Sequence, residues 1–235
     1  MVKAELVKRS PLRILEKSMH GGVGAGNIGI LASRKGVGKT ACLVHIATYK
    51  LFQGKPVIHV SYSSRVDYII TWYEDIFREI AKKRQLENAV EVHDELIRSR
   101  VIMNFKQEGT STEQILKSVE ALITHGQFAA ETVIVDGFDF TRSCQDDLRK
   151  FQDFAKKLGL EVWFSASLRG EAPLFDEEGI PLLLKDCLER VAVLITLSFQ
   201  DGFVRLNLVK DHEYTPAGEL PLRLDPKTLL IAEKA

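Results

Sequence analysis

The sequence predicts an α/β domain: a mainly parallel sheet with helices on both faces, ending in antiparallel strands. Three observations predict it. Strand-like runs alternate with helix-periodic segments as far as residue 165, the rhythm of parallel strands joined by crossover helices. After residue 188 the rhythm changes to two apolar runs, 191–199 and 203–209, joined across Gln200-Asp201-Gly202; Asp-Gly in that setting signals a hairpin. Finally, 235 residues with 45% hydrophobic and 27% charged content suit one large domain that buries a full core. The domain is read as 1–235, with 1–26 as a lead-in.

The elements follow in order. Leu12, Leu15 and Met19 mark one face of a short helix, and the glycine cluster 21–26 reads as a turn. Residues 27–32 form a buried strand and 41–51 a helix with Val44, Ala47 and Leu51 on one face. Gly54-Lys55-Pro56 stops that helix, and 57–62 is a second strand. Residues 65–81 carry an apolar stripe through Val66, Ile69, Ile70, Tyr73, Ile76, Phe77 and Ile80; Tyr68 and Trp72 lie off its centre, as a semi-buried flank or a partner site. The charged stretch 82–99 reads as a surface helix and 100–105 as a strand. Ser111 and Gln114 have the spacing of a capping box opening a further helix. Residues 131–136 are a buried strand ending in Asp136, 145–157 a helix, and 160–165 a strand. Short strands near 220–224 and 229–231 end the chain.

Between the first strand and its helix runs Ser33-Arg34-Lys35-Gly36-Val37-Gly38-Lys39-Thr40, with Ala41 next. It fits the phosphate-binding loop G-x-x-x-x-G-K-[ST] except that Ser33 takes the first glycine's place. In such a loop backbone N–H groups surround a polyphosphate, the lysine reaches its outer phosphates, and the hydroxyl binds Mg²⁺. A strand, a tight loop and a helix N-terminus also form an anion site from peptide dipoles alone. Asp136, at the end of a buried strand, is the matching carboxylate for the metal. Residues 33–41 are therefore the expected contacts of a nucleotide's phosphates, Thr40 and Asp136 the expected Mg²⁺ site, and Lys39 and Asp136 the expected catalytic pair; that the nucleotide is ATP or ADP rather than GTP is what the resemblance given next implies.

The chain resembles the RecA-like P-loop ATPases, most closely the branch of KaiC, RadA and the replicative helicase motor domain. The resemblance rests on the glycine-rich approach 21–27, the phosphate-binding loop, the stretch 54–61, and Lys210-Asp211-His212-Glu213-Tyr214-Thr215-Pro216-Ala217-Gly218-Glu219, which looks like the family's K-x-R followed by a P-T-G-E-like turn. It implies a three-layer RecA-like nucleotide-binding fold. The departures are informative. Relatives carry glutamate at the end of the second strand to polarise water; here stand Ser63 and Ser64, and serine is no carboxylate base near neutral pH. Asp67 and Asp139 are the remaining carboxylates near that place. Alanine in Ser165-Ala166-Ser167 stands where relatives have a glutamine phosphate sensor. Lys210 fits the arm that reaches a neighbouring subunit's nucleotide, but His212 stands where arginine is expected, without its permanent charge and donor fork. The resemblance thus implies a nucleotide-binding regulatory or scaffold protein with hydrolysis below the common range of roughly 1–1,000 per second. The alternatives are a DNA-dependent motor and a ParA/MinD-type partition ATPase; for the latter, Arg34 stands where the signature lysine belongs.

Composition narrows the partners. Lys+Arg and Asp+Glu both number 32, a balance unlike that of a dedicated nucleic-acid binder. The loop 169–179 holds Glu171, Asp176, Glu177 and Glu178 against one arginine, so DNA is not expected there, whereas Leu174 and Phe175 suit a protein partner or another copy of the chain. No apolar run has the length of a membrane span. Widely spaced Cys42, Cys144 and Cys187 suggest thiols in a reducing compartment, and with no signal-peptide core the expected location is cytoplasmic.

Overall fold

The structure is a computed structural model describing residues 2–63, 65, 67–142, 144–171, 173–216 and 218–234. Its strands are β1 (Ile28–Arg34), β2 (Val57–Ser61), β3 (Arg100–Asn104), β4 (Thr132–Asp136), β5 (Glu161–Leu168), β6 (Val193–Gln200), β7 (Phe203–Asp211), β8 (Gly218–Leu224) and β9 (Ile231–Glu233). They form one sheet in the order β3-β2-β4-β5-β1-β6-β7-β8-β9. Pairing is parallel from β3 to β6 and antiparallel from β6 to β9. The helices are α1 (Val2–Lys8), α2 (Leu12–Ser18), α3 (Lys39–Phe52), α4 (Asp67–Arg84), α5 (Ala89–Arg98), α6 (Thr112–Thr124) and α7 (Cys144–Leu158).

Strand alternation builds the layers. Leu31, Val57, Ile134, Trp163 and Val193 turn to one side, where α1 to α5 supply the partners. Ile30, Ile58, Val133, Phe164 and Leu194 turn to the other, toward α6, α7 and a 3₁₀ segment, Leu182–Arg190. The central strands are buried on both faces, which is why they read as continuous apolar runs rather than alternating ones. Gly29 permits a close approach: a Cβ there would come within 2.7 Å of both the Trp163 ring and the Val23 side chain. α3 lies deepest, with every residue but Thr40 buried.

The local signals behave as their chemistry requires. Ser111 Oγ accepts from the Gln114 amide at 3.3 Å and Gln114 Oε1 from the Ser111 amide at 2.8 Å, closing the capping box. Asp201 (φ 52°) and Gly202 (φ 80°) both adopt the positive φ of a two-residue hairpin turn. The helix expected over 65–81 spans Asp67–Arg84, and Ile70 on its expected stripe is exposed. The expected helix 82–99 is divided: the chain turns at Gln85 (φ 51°) and resumes as α5. Cys42 is a buried free thiol, but Cys187 is disulfide-bonded, which corrects the expectation of thiols at all three cysteines. Sequence spacing carries no information about which sulfurs the fold brings together. Among the described residues no helix is long and apolar enough to cross a membrane.

Candidate functional site

The parallel strands all point their carboxyl ends at one rim of the sheet. β1 leads into α3 on one face of the sheet and β4 into α7 on the other, so the loops leaving β1 and β4 part and leave a crevice. A cleft of about 710 Å³ lies there. Lys35, Gly36, Gly38, Lys39, Thr40 and Ala41 form one wall; Ser61, Tyr62, Ser63, Tyr68 and Trp72 come from the end of β2 and from α4. Gln107, the stretch from Asp136 to Thr141, Ser165, Ser167, Arg169 and Leu183 complete it.

The geometry of the loop explains its sequence. Ser33 still belongs to β1, paired with Ser167 of β5, and its backbone is extended; no glycine is needed where φ stays negative. Glycine is needed at Gly38 (φ 121°), which caps α3 and whose added Cβ would meet Leu224 at 2.9 Å, and at Gly36 (φ 83°). Val37 packs toward the core. Arg34 is exposed, and its guanidinium donates to the Gly170 carbonyl at 3.3 Å.

The Lys39 ammonium is buried and donates to the carbonyls of Ser33 (3.1 Å) and Arg34 (2.9 Å) and to Ser33 Oγ (3.3 Å). Burial pulls its pKa down to about 8, against the opposing pull of Asp136. Residues 96 positions apart then meet: Thr40 Oγ1 donates to Asp136 Oδ2 at 2.8 Å. The other oxygen of Asp136 accepts from Ser165 Oγ at 2.6 Å, and Ser165 accepts from the Gly137 amide at 2.8 Å. Ser165 is thereby occupied in aiming the carboxylate. One hydroxyl and one carboxylate are hard oxygen donors, a set that fits Mg²⁺, which keeps several waters. Among the described residues no cluster of three or more His, Cys, Asp or Glu is placed to hold a metal by protein ligands alone.

The other candidates separate. Asp67 is exposed, held by both ends of the Arg65 guanidinium at 3.2 and 2.6 Å, and lies off the cleft wall. Asp139 lies on the wall; the Thr141 hydroxyl (2.7 Å) and amide (3.1 Å) hold its carboxyl below the usual range, with Arg169 and Arg142 contributing. Ser63 lines the cleft, its amide bonded to Ser61 Oγ at 3.1 Å; Ser64 lies outside the described residues. Lys210 donates to the Leu188 carbonyl at 2.7 Å. His212 bonds Asp211 Oδ1 at 2.8 Å and the Val23 carbonyl at 3.1 Å. Both expected inter-subunit contacts are thus engaged within their own chain. In the acidic loop Leu174 packs toward the core while Phe175 is exposed.

Tyr68 and Trp72, edge to face with ring centroids 6.3 Å apart, form part of the cleft wall. Gln107, Phe138, Phe140 and Arg169 also line it, and sequence reasoning singled out none of them for the site. A signal for Arg169 existed: it continues the every-second-residue row Ser165, Ser167. No family model matches the chain, and a search of curated proteins finds no match.

Proposed function

We propose that this protein is a Mg²⁺-dependent nucleoside-triphosphate-binding protein of the RecA-like P-loop class, with slow hydrolysis and a regulatory or scaffold role. The observation that carries the reading is the meeting of Thr40 with Asp136 beside buried Lys39, at the mouth of a glycine loop that opens a helix. The sheet order supports the fold class: the phosphate-loop strand β1 and the carboxylate strand β4 flank β5.

The chain's own groups divide the work. Backbone N–H groups around Gly36 and Gly38 and the first turn of α3 face the phosphates. Lys39 exchanges carbonyl partners for phosphate oxygens, which restores its charge to a fully paired state. Thr40 and Asp136 hold the metal, and Ser165 fixes the carboxylate's direction. Bound Mg²⁺ supplies neutralising charge to the outer phosphates. Lys35, Lys39 and Arg169 against Asp136 and Asp139 leave the described wall net cationic, as a polyphosphate needs.

Water activation is the missing part. Ser61 and Ser63 occupy the end of β2, and Asp67 is turned away into its pair with Arg65. Asp139 is the one carboxylate besides Asp136 on the described wall, and its partners favour the weakly basic, ionised form. The reading is therefore a binder whose triphosphate state is long-lived, acting on protein partners or further copies of itself rather than on DNA.

Calorimetry with Mg·ADP and Mg·ATP tests the core of this reading. Wild-type protein binds both, and Lys39→Ala weakens binding on the order of 100-fold, the loss of two or so charge-assisted contacts. Equal affinities in the two proteins refute it.

A further inference from the structure

We propose that Arg169 reads the terminal phosphate of a bound nucleoside triphosphate from within its own chain. The inference rests on the nucleotide reading above and adds a residue that distinguishes triphosphate from diphosphate. β5 lies between β1 and β4, so its carboxyl end opens between Lys39 on one side and Asp136 on the other. Every second side chain of an extended strand shares a face, and Ser165, Ser167 and Arg169 all reach the cleft wall. Ser165 is occupied by Asp136 and Gly137. Arg169 ends the row, one residue past the strand.

Two further observations fix its role. The main chain beside it is tied to the phosphate-binding loop, because Arg34 donates to the carbonyl of Gly170. Arg169 and the loop's backbone therefore keep a common frame. Its charge is felt by Asp139 on the same cleft wall, yet among the described residues its guanidinium has no ion-pair partner within contact distance. A guanidinium carries permanent charge and a planar fork of donors that matches phosphate oxygens. The cation and imidazole that a neighbouring subunit would offer, Lys210 and His212, are bonded to Leu188 and Val23 inside this chain. The terminal phosphate's extra charge thus meets Arg169 in cis, and the site is complete in one copy.

The test is calorimetry in Mg²⁺ with ADP and with the slowly hydrolysed analogue ATPγS, on wild type, Arg169→Ala, Arg169→Lys and Lys35→Ala. Arg169→Ala is expected to lose about tenfold or more in ATPγS affinity while ADP affinity stays within about twofold. Arg169→Lys recovers part of the difference, and the wild-type preference for ATPγS is the same in dilute and concentrated protein. Equal loss for both nucleotides in Arg169→Ala overturns the inference, as does unchanged ATPγS affinity. A preference erased by Lys35→Ala instead, or one that grows with protein concentration, overturns it too. Wild-type protein that binds neither nucleotide overturns the nucleotide reading and this inference together.

Discussion

Two lysines on one helix, Lys39 at the start of α3 and Lys50 in its last turn, are both buried and yet electrostatically opposite. Lys50 lies between carboxylates, Glu161 Oε2 at 2.8 Å and Glu16 Oε1 at 3.3 Å. The carboxylates have partners of their own: Trp163 Nε1 donates to Glu161 at 2.6 Å, and Tyr49 and Gln53 donate to Glu16 at 3.2 and 3.4 Å. Burial lowers the pKa of Lys50, but Glu161 and Glu16 outweigh it and the net direction is upward. Lys39 has carbonyls and a hydroxyl as direct partners, and burial wins. The contrast teaches how a buried cation is to be read. Paired with carboxylates, it joins elements: here α2, α3 and β5. Paired with neutral oxygens, its charge is left for something that arrives.

Stability should split the two lysines most sharply. Lys50→Met leaves Glu161 and Glu16 without their cation and should cost about 3–5 kcal/mol of unfolding free energy in urea titration. Lys39→Met leaves no carboxylate stranded at contact distance and should stay within about 1 kcal/mol of wild type. Similar losses in both would mean that Lys39 is also a structural cation. A smaller effect concerns the metal. Asp136→Asn should reduce the gain in nucleotide affinity on adding Mg²⁺ by about 10–100-fold, read by calorimetry with and without chelator. A full Mg²⁺ response in that variant would move the metal away from Asp136.

The smallest effect is in pH, and the two lysines should differ in sign. The folded pKa of Lys39, about 8, lies below its usual 10.5. Between those values the unfolded chain holds more protons, so its contribution to ligand-free stability rises with pH. In the proposed function the ammonium is the form that binds phosphate, so Mg·ADP affinity should fall as pH passes about 8, by at most about tenfold per pH unit. Lys50, shifted upward, contributes stability that is complete below its unfolded value and lost as pH rises through its folded one. Titrating affinity and chemical stability over the same pH range checks both; affinity flat through pH 8–10 would remove the proposed role of the Lys39 charge.

Much of this was legible where chemistry is local. The glycine loop between β1 and α3, the capping box at Ser111 and Gln114, and the Asp-Gly turn each need a handful of neighbouring residues, and each reads directly. Asp136 was legible as a strand-end carboxylate following a glycine loop. What escaped depends on distant segments meeting. Nothing near Lys50 in sequence announces Glu161. Nothing near His212 announces that its imidazole turns to Val23. Tyr68 and Trp72 were placed off the apolar stripe, but which side of that flank faces the cleft is decided by the sheet. The 3₁₀ segment Leu182–Arg190 carries no helix period long enough to recognise, and the substitution at Ser33 reads as a defect until its strand pairing with Ser167 is seen.

The order of strands also sets the order of events during synthesis. β1 leads into the glycine loop, yet its first partner, β5, begins roughly 130 residues downstream, and its second, β6, later still. At about 5–20 residues per second the ribosome needs on the order of ten seconds or more to supply them. Through that interval α3, buried at nearly every position of the finished fold, lacks β5 and the C-terminal strands that help to cover it. Long-range pairing of this kind is slow and leaves apolar surface open to other chains. The nascent protein thus keeps apolar surface uncovered until its last third emerges, and truncations within that third should aggregate, as read by sedimentation of the expressed fragments, rather than leave a folded loop behind.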